Sequence, residues 1–544
     1  MVYMSFKAKV LVLGYAILAT ARKIEIKAPS HIPQGASQPV DHAFASFSWP
    51  VHFFADYAGN KSHPNRFSQD IIDLLHEKTG AHPHIRVGGT SADRAIYNAS
   101  QVESVILSTT SDNGIPHEVS LGPVFFEGFE NFPGTPWTFQ VNLANNKSNA
   151  LENALAEAKV ALSHIRENLY AFEIGNEPDL YPGDVRPSNY TVADYVKEWR
   201  AFADAISKEV LHNNQYGLED WKLFQALTFI FYFNGFSTAQ AFEDGIDADG
   251  HIKSVSWHQY ATGNQDWVRL QGQQASPFQS LALTSSESFM NHTAIVSNLT
   301  QYTDDMELIH AHDPNITFLL GETNSDYVNL NMSQVEGVFG SSLWLIDYLL
   351  YGMSLVRLNP FLRLSDTNNE QNITRFNLIQ GTTFGYAGWT PVEYNGLAPQ
   401  VRAPLYGQIV AADAIGRHPT VQVKALELMR DDLSAYAIYE SGKLARYVVV
   451  NLDEWNSTSS YPRPSQKFEL EIPHRSKGAE MKRLVGSGAS VDSDISWGGF
   501  SWNYTDGRLA RSGKREVEVL RARNGAVSLE LFSTEAAIVE LQGI

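Results

Sequence analysis

From about residue 44 onward the chain alternates two kinds of hydrophobic pattern. Short runs rich in aromatic and aliphatic residues recur at 44–49 (FASFSW), 84–89 (HIRVGG), 137–143 (WTFQVNL), 170–176 (YAFEIGN), 221–229 (WKLFQALTF), 252–260 (IKSVSWHQY), 317–323 (TFLLGET) and 354–358 (SLVRL). Between them lie stretches with apolar residues at three- and four-residue spacing, such as 153–165, 192–210 and 341–352. Eight strand-like runs alternating with helical ones predict an α/β fold, a closed parallel (β/α)8 barrel over 44–416, in preference to an open doubly wound sheet. Its last helix is expected at 405–416 (LYGQIVAADAIG), stopped by Gly416.

Beyond Gly416 the helical period disappears. Alternating runs at 433–440 (LSAYAIYE), 444–452 (LARYVVVNL), 467–472 (KFELEI) and 536–542 (AAIVELQ) are separated by Gly, Pro, Ser and Asn turns. This predicts an all-β sandwich over 417–544. The isolated run at 22–29 (RKIEIKAP), within a segment 22–43 that precedes the barrel, is expected to add a strand to it.

Residues 1–21 follow a different rule. Lys7 and Lys9 precede a short apolar run from Val10 to Leu18, which ends in the small-residue triplet Ala19-Thr20-Ala21. That is the pattern of a secretory signal peptide cut after Ala21, and the run falls short of the ~18 apolar residues a membrane span needs. Eleven Asn-x-Ser/Thr sequons, at Asn60, Asn98, Asn146, Asn189, Asn291, Asn298, Asn315, Asn331, Asn372, Asn456 and Asn503, fit a secreted, extracellular chain carrying N-glycans. The chain has no cysteine, which excludes disulfides, thiolate metal sites and cysteine nucleophiles. Its formal charge of −19 becomes −21 once Lys7 and Lys9 leave with the leader, a balance that argues against nucleic acid as a partner.

In a (β/α)8 barrel the chemistry sits at the C-terminal ends of the strands. Strand four ends in Asn176-Glu177-Pro178 and strand seven in Gly321-Glu322-Thr323. Either glutamate alone is as readily a cap or a surface ion pair; together, across one barrel mouth, they are the two carboxylates that glycosidic-bond hydrolysis requires. Arg86 ends strand two, where it either orients a reacting carboxylate or neutralises a buried one for structural reasons. Trp49, Trp389, Tyr386 and Tyr394 are expected to serve packing rather than sugar stacking. No HxH or HExxH spacing surrounds His258, and no phosphate or dinucleotide loop is present, so neither metal nor cofactor is implied.

Three motifs in order, EIGNEP (173–178), WHQY (257–260) and GETNSDY (321–327), resemble those of glycoside hydrolase family 79, the family of heparanases and β-glucuronidases. The resemblance covers barrel and sandwich. It implies that Glu177 is the general acid/base and Glu322 the nucleophile of a retaining hydrolase. It further implies that Asn176 meets the sugar 2-hydroxyl, that Tyr260 and His258 form the strand-six rim, that Tyr327 stands beside the uronate carboxylate and that Tyr406 also reaches the site. Where heparanase has a glycine pair after that last motif, this chain has Val328-Asn329, so its backbone contacts to the uronate differ. A cleft for sulfated polymers calls for Lys and Arg, which the motif regions lack; the expected activity is therefore exo-β-glucuronidase on a glucuronide-bearing glycan or small glucuronide. The alternatives are heparanase-like endo-cleavage, a β-glucosidase or β-xylosidase of the same clan, and a non-catalytic sugar-binding barrel.

Overall fold

The computed structural model describes residues 23–109, 114–219, 221–231, 235–262, 289–326, 336–355 and 373–543. The expected leader segment 1–21, Tyr327 and the sequons Asn331 and Asn372 lie outside them. Among the described residues, no helix is long and apolar enough to cross a membrane.

Eight parallel strands close into a barrel: Ala45–Pro50, Ile85–Gly88, Trp137–Val141, Leu169–Ile174, Phe224–Phe229, Ile252–Thr262, Thr317–Asp326 and Ile373–Ile379. Closure is complete because the eighth strand pairs with the first, Phe376 opposite Ala45 and Leu378 opposite Phe47. Seven strands fall where the apolar runs predict them. The eighth does not: Ser354 ends the helix Phe339–Ser354, Leu355 follows it, and 356–358 lie outside the described residues. The strand is instead ITRFNLI, whose Thr374, Arg375 and Asn377 break the apolar run that marks its neighbours.

The helices Phe339–Ser354 and Ala403–Ile415 are apolar on nearly every side, as buried helices are. They have a second layer to cover. A nine-stranded sheet of the C-terminal region packs one face on the barrel: Tyr436, Ile438, Val448 and Val450 join the barrel core. The residues between them on the same strands, Ala435, Ala437, Tyr447 and Val449, point the other way, into a separate core. That core is closed by a three-stranded sheet in which Ile24–Ile26 runs parallel to Ser465–Glu471. The two faces make a sandwich, with the strand from the 22–43 segment in its outer sheet.

Sequon exposure divides the candidates. Asn98, Asn146, Asn189, Asn315 and Asn503 are exposed. Asn291 and Asn456 are buried, the first accepting from the Ala294 N–H as a helix cap, the second from Ser490.

Candidate active site

The barrel is filled by a polar layer rather than by aliphatic side chains. Parallel register sets Ser48 beside Arg86, Gln140 beside Glu173, and Glu173 beside Gln225. Arg86, wholly buried, donates to Glu173 Oε1 from Nε at 2.9 Å and from Nη2 at 2.6 Å. Its Nη1 donates to Glu322 Oε2 at 2.5 Å and to Ser48 Oγ at 3.1 Å, and Nη2 also reaches Asn176 Oδ1 at 2.8 Å. Gln225 Nε2 satisfies the other Glu173 oxygen at 2.5 Å. One permanent cation thus holds two carboxylates and the amide beside a third, the arrangement that makes a buried charge tolerable.

Glu177 is aimed by its backbone. At Gly175 the chain turns with φ 79°, and a Cβ there would lie 2.7 Å from the Tyr181 hydroxyl and 2.9 Å from Leu143 Cβ, so only glycine fits. Glu177 itself adopts a left-handed conformation, φ 49° and ψ 53°. Its N–H donates to the carbonyl of Thr228 at 3.1 Å. Leu227 and Thr228, at the end of strand five, also have positive φ (71° and 56°), strain of the kind concentrated at functional sites. The Tyr195 hydroxyl holds that kink by accepting from Leu227 N–H at 3.1 Å.

Across the mouth, a register shift between Trp257 and His258 brings His258 opposite Glu322. His258 Nδ1 lies 2.8 Å from Glu177 Oε1, and the Tyr260 hydroxyl donates to Glu322 Oε1 at 2.5 Å. A Cβ on Gly321 would sit 2.0 Å from Ser256 Oγ, so the strand-seven backbone presses against strand six just before the glutamate. One ligand atom each from Glu177, His258 and Glu322 all lie within 4.8 Å of one another. Such a trio has the donors for a metal ion, but both Glu322 oxygens are committed to Arg86 and Tyr260, and the adjacent guanidinium opposes a second cation.

The two carboxyls are pushed in opposite directions. Burial, reinforced by the Glu322 charge, raises Glu177 from 4.5 to about 8. Burial works to raise Glu322 too, but its interactions with neighbouring His258 and Arg86 and hydrogen bonds from Tyr260 and Arg86 override it, and its pKa falls below the ordinary value. Burial lowers His258 from 6.5 to about 4, so near neutral pH its ring is uncharged and Arg86 is the cation that keeps Glu322 ionised. A protonated acid and an anion therefore face each other.

Comparison with known proteins places this geometry. The description "Glycosyl hydrolase family 79 C-terminal beta domain" matches residues 435–538. A β-glucuronidase from Aspergillus niger is 32% identical over 540 residues, 94% of this chain and 93% of that one. The chain belongs to glycoside hydrolase family 79. A second fungal relative, a β-glucuronidase from Neurospora crassa, is 29% identical over 541 residues, 90% of each chain. Among solved structures, a 4-O-α-L-rhamnosyl-β-D-glucuronidase from Fusarium oxysporum shares the fold with a TM-score of 0.75 at 22% identity, covering 95% of this chain and 100% of that one. A family 51 arabinofuranosidase from Xanthomonas axonopodis shares it more distantly, with a TM-score of 0.62 at 12% identity over 96% of this chain and 100% of that one.

Against this family-79 frame, the expected site residues divide. Asn176, Glu177, Tyr260 and Glu322 line one cleft of about 290 Å3, with Arg86 and His258 bonded to its carboxylates from the barrel interior. Tyr327 lies outside the described residues. Tyr406 is corrected: it opens the buried helix Ala403–Ile415, its hydroxyl accepts the Trp502 N–H at 3.0 Å, and its ring packs edge-on against Trp502 at the barrel–sandwich junction. Its position in the first helical turn directs it to the sandwich rather than to the cleft. Tyr386, assigned to packing, is a cleft wall, together with His52, Asp93, Arg94 and Phe384, none of them anticipated. Asp93 organises the floor: it accepts from Asn176 N–H (3.1 Å), the Tyr181 hydroxyl (2.6 Å) and Gln140 Nε2 (3.0 Å). The sequence signal for it was the polar stretch TSADR directly after the Gly88-Gly89 turn of strand two.

Proposed function

We propose that this family-79 chain is an exo-acting, retaining β-glucuronidase. The observation that carries the reading is the Glu177–Glu322 pair, with carboxylate oxygens within 4.8 Å and pKa values driven apart. Inverting enzymes separate their carboxyls by about 6.5–9.5 Å to seat a water, whereas retaining ones hold them about 5–5.5 Å apart. In the first step ionised Glu322 attacks the anomeric carbon as Glu177 passes its proton to the departing glycosidic oxygen. Glu177, now a carboxylate, then deprotonates the water that breaks the glycosyl ester and restores both groups. His258, neutral beside Glu177, bonds to it without bringing a competing charge.

The glucuronide preference rests on the two fungal relatives and on the cleft's chemistry. Tyrosine hydroxyls and backbone amides suit a single carboxylate, with Tyr327 as its motif-assigned partner. Among the described lining residues Arg94 is the lone Lys or Arg, a poor provision for a sulfated polymer. The cleft volume lies at the small end for ligand sites, which favours a terminal glucuronate or its 4-O-methyl ether over an internal chain segment. The leader and the five exposed sequons support export as a glycoprotein, which a shift in gel mobility on enzymatic deglycosylation of the secreted chain would test.

The deciding experiment pairs aryl β-glucuronide with aryl β-glucoside and follows the first-formed sugar by proton NMR. Turnover of the glucuronide with β-glucuronate appearing first is expected. First-formed α-glucuronate would overturn retention, and cleavage of internal heparan bonds without aryl turnover would overturn exo action.

A further inference from the structure

The opposite end of the barrel, where the strands begin, holds a second cavity, of about 550 Å3. Gln38, His84, Tyr170, Thr317, Thr374 and Arg375 supply its polar lining, with Asp41 at the rim. Arg375 is only 3% exposed, and its guanidinium carbon lies 4.5 Å from the centroid of the Tyr170 ring. Lys253 Nζ lies 4.4 Å from the same centroid. Two cations therefore share one neutral phenol. Among the described residues, the carboxylate paired with Arg375 is Asp41, at 4.0 Å with its side chain 41% exposed. A screened contact of that length does little for a guanidinium sealed from water.

The hydrogen bonds sharpen the imbalance. Arg375 Nη1 lies 3.3 Å from His84 Nε2. A guanidinium can only donate, so Nε2 is the acceptor and the imidazole proton sits on Nδ1. That Nδ1–H and the Arg375 Nε–H are both shut off from solvent and both lack an acceptor. The hydroxyls nearby are occupied: Thr374 donates to the Phe318 carbonyl at 2.9 Å, and Tyr170 pairs with Thr317 at 3.1 Å. Burial and the two cations hold His84 well below its ordinary pKa, so the ring stays neutral with one N–H to give. Burial would raise the Tyr170 pKa, yet the charge of Arg375, hydrogen bonds with Thr317 and Arg375, and the charge of Lys253 bring it below the ordinary value. Glu219 is the further carboxylate whose charge reaches Lys253.

We propose that this cavity binds a small oxygen-bearing anion, a carboxylate or an oxyanion such as phosphate, which pairs with Arg375 and lies in the field of Lys253. An anion supplies the negative charge that the buried guanidinium lacks, which neither a water nor a neutral sugar does. The site is separate from the cleft of Glu177 and Glu322, and its occupancy stabilises the folded barrel by mass action.

The test is thermal unfolding of the full chain in sodium phosphate and in sodium acetate, each against sodium chloride at matched ionic strength. A midpoint that climbs with phosphate or acetate concentration beyond the chloride control is expected, and the anion that works identifies the ligand class. Arg375→Gln should weaken apparent binding about tenfold or more, the loss expected for one buried charge partner. Asp41→Asn, which removes the rim carboxylate that competes for Arg375, should tighten it, and remains informative if Arg375→Gln does not fold. No climb in either anion overturns the site. So does a climb that neither substitution alters, since the anion would then be bound elsewhere.

Discussion

Arg86 and Glu322 form a 2.5 Å ion pair inside the barrel, the arginine side chain wholly buried and the glutamate side chain 8% exposed. The same guanidinium holds Glu173, so its removal strands two buried carboxylates at once. Arg86→Gln is expected to lower folding stability by about 3–5 kcal/mol, the usual cost of breaking a buried pair, and to abolish turnover. Denaturant unfolding alongside kcat checks both; a stable, active variant would contradict the reading of Arg86 as the counter-charge of the nucleophile.

The pH profile follows from the opposed carboxyls. Glu322 must be ionised and Glu177 protonated, so kcat/KM should hold from the acidic range, below the ordinary glutamate pKa, up to an alkaline limb near pH 8. Because the Glu322 charge helps raise Glu177, Glu322→Gln should lower the Glu177 pKa while eliminating turnover. A 13C-NMR titration of the labelled carboxyl measures it directly; an unchanged value would leave burial as the whole cause.

Tyr260→Phe removes the hydroxyl that donates to Glu322 and leaves the ring. A hydrogen bond to a charged group contributes about 1.5–3 kcal/mol, so kcat/KM should fall roughly 10- to 150-fold. The Glu322 pKa should rise, moving the acidic limb to higher pH. A fall in activity with an unmoved limb would mean that Tyr260 acts on the substrate instead.

Tyr406 offers the converse test. Its hydroxyl accepts from Trp502 N–H at the barrel–sandwich junction, so Tyr406→Phe should cost about 1–2 kcal/mol of stability and leave kcat and KM unchanged. A raised KM for an aryl glucuronide at unaltered stability would return Tyr406 to the substrate site.

Much of this fold is legible in the sequence because seven barrel strands are short runs rich in aromatic and aliphatic residues, set between stretches of helical period. The eighth escapes because the run SLVRL at 354–358 precedes it and reads as a strand, while ITRFNLI mixes Thr374, Arg375 and Asn377 with its apolar residues. Glu177 and Glu322 stand out by terminating apolar runs. Glu173 sits in the same motif, yet its task of sharing Arg86 with Glu322 depends on barrel closure, which joins residues 87 and 236 positions apart from that arginine. The sequence leaves open whether Arg86 neutralises or orients a carboxylate; in the structure it bonds both Glu173 and Glu322. The Tyr406 assignment followed chain order, and chain order does not specify which face of a helix turns toward a cleft.

The pairing of Ile24–Ile26 with Ser465–Glu471 has a consequence in time. On the ribosome the first strand emerges about 440 residues before its partner, a delay on the order of a minute at ~5–20 residues per second. All eight barrel strands precede that partner in the chain, so the barrel has its full complement while the outer sheet still lacks two of its three strands, Ser465–Glu471 and Ala526–Phe532. Ile24–Ile26 spends that interval without its partner strand, and a chain released before residue 465 never acquires it. Sealing of the outer sheet thus reports that translation has passed beyond the catalytic barrel, a mark by which finished chains differ from prematurely terminated ones.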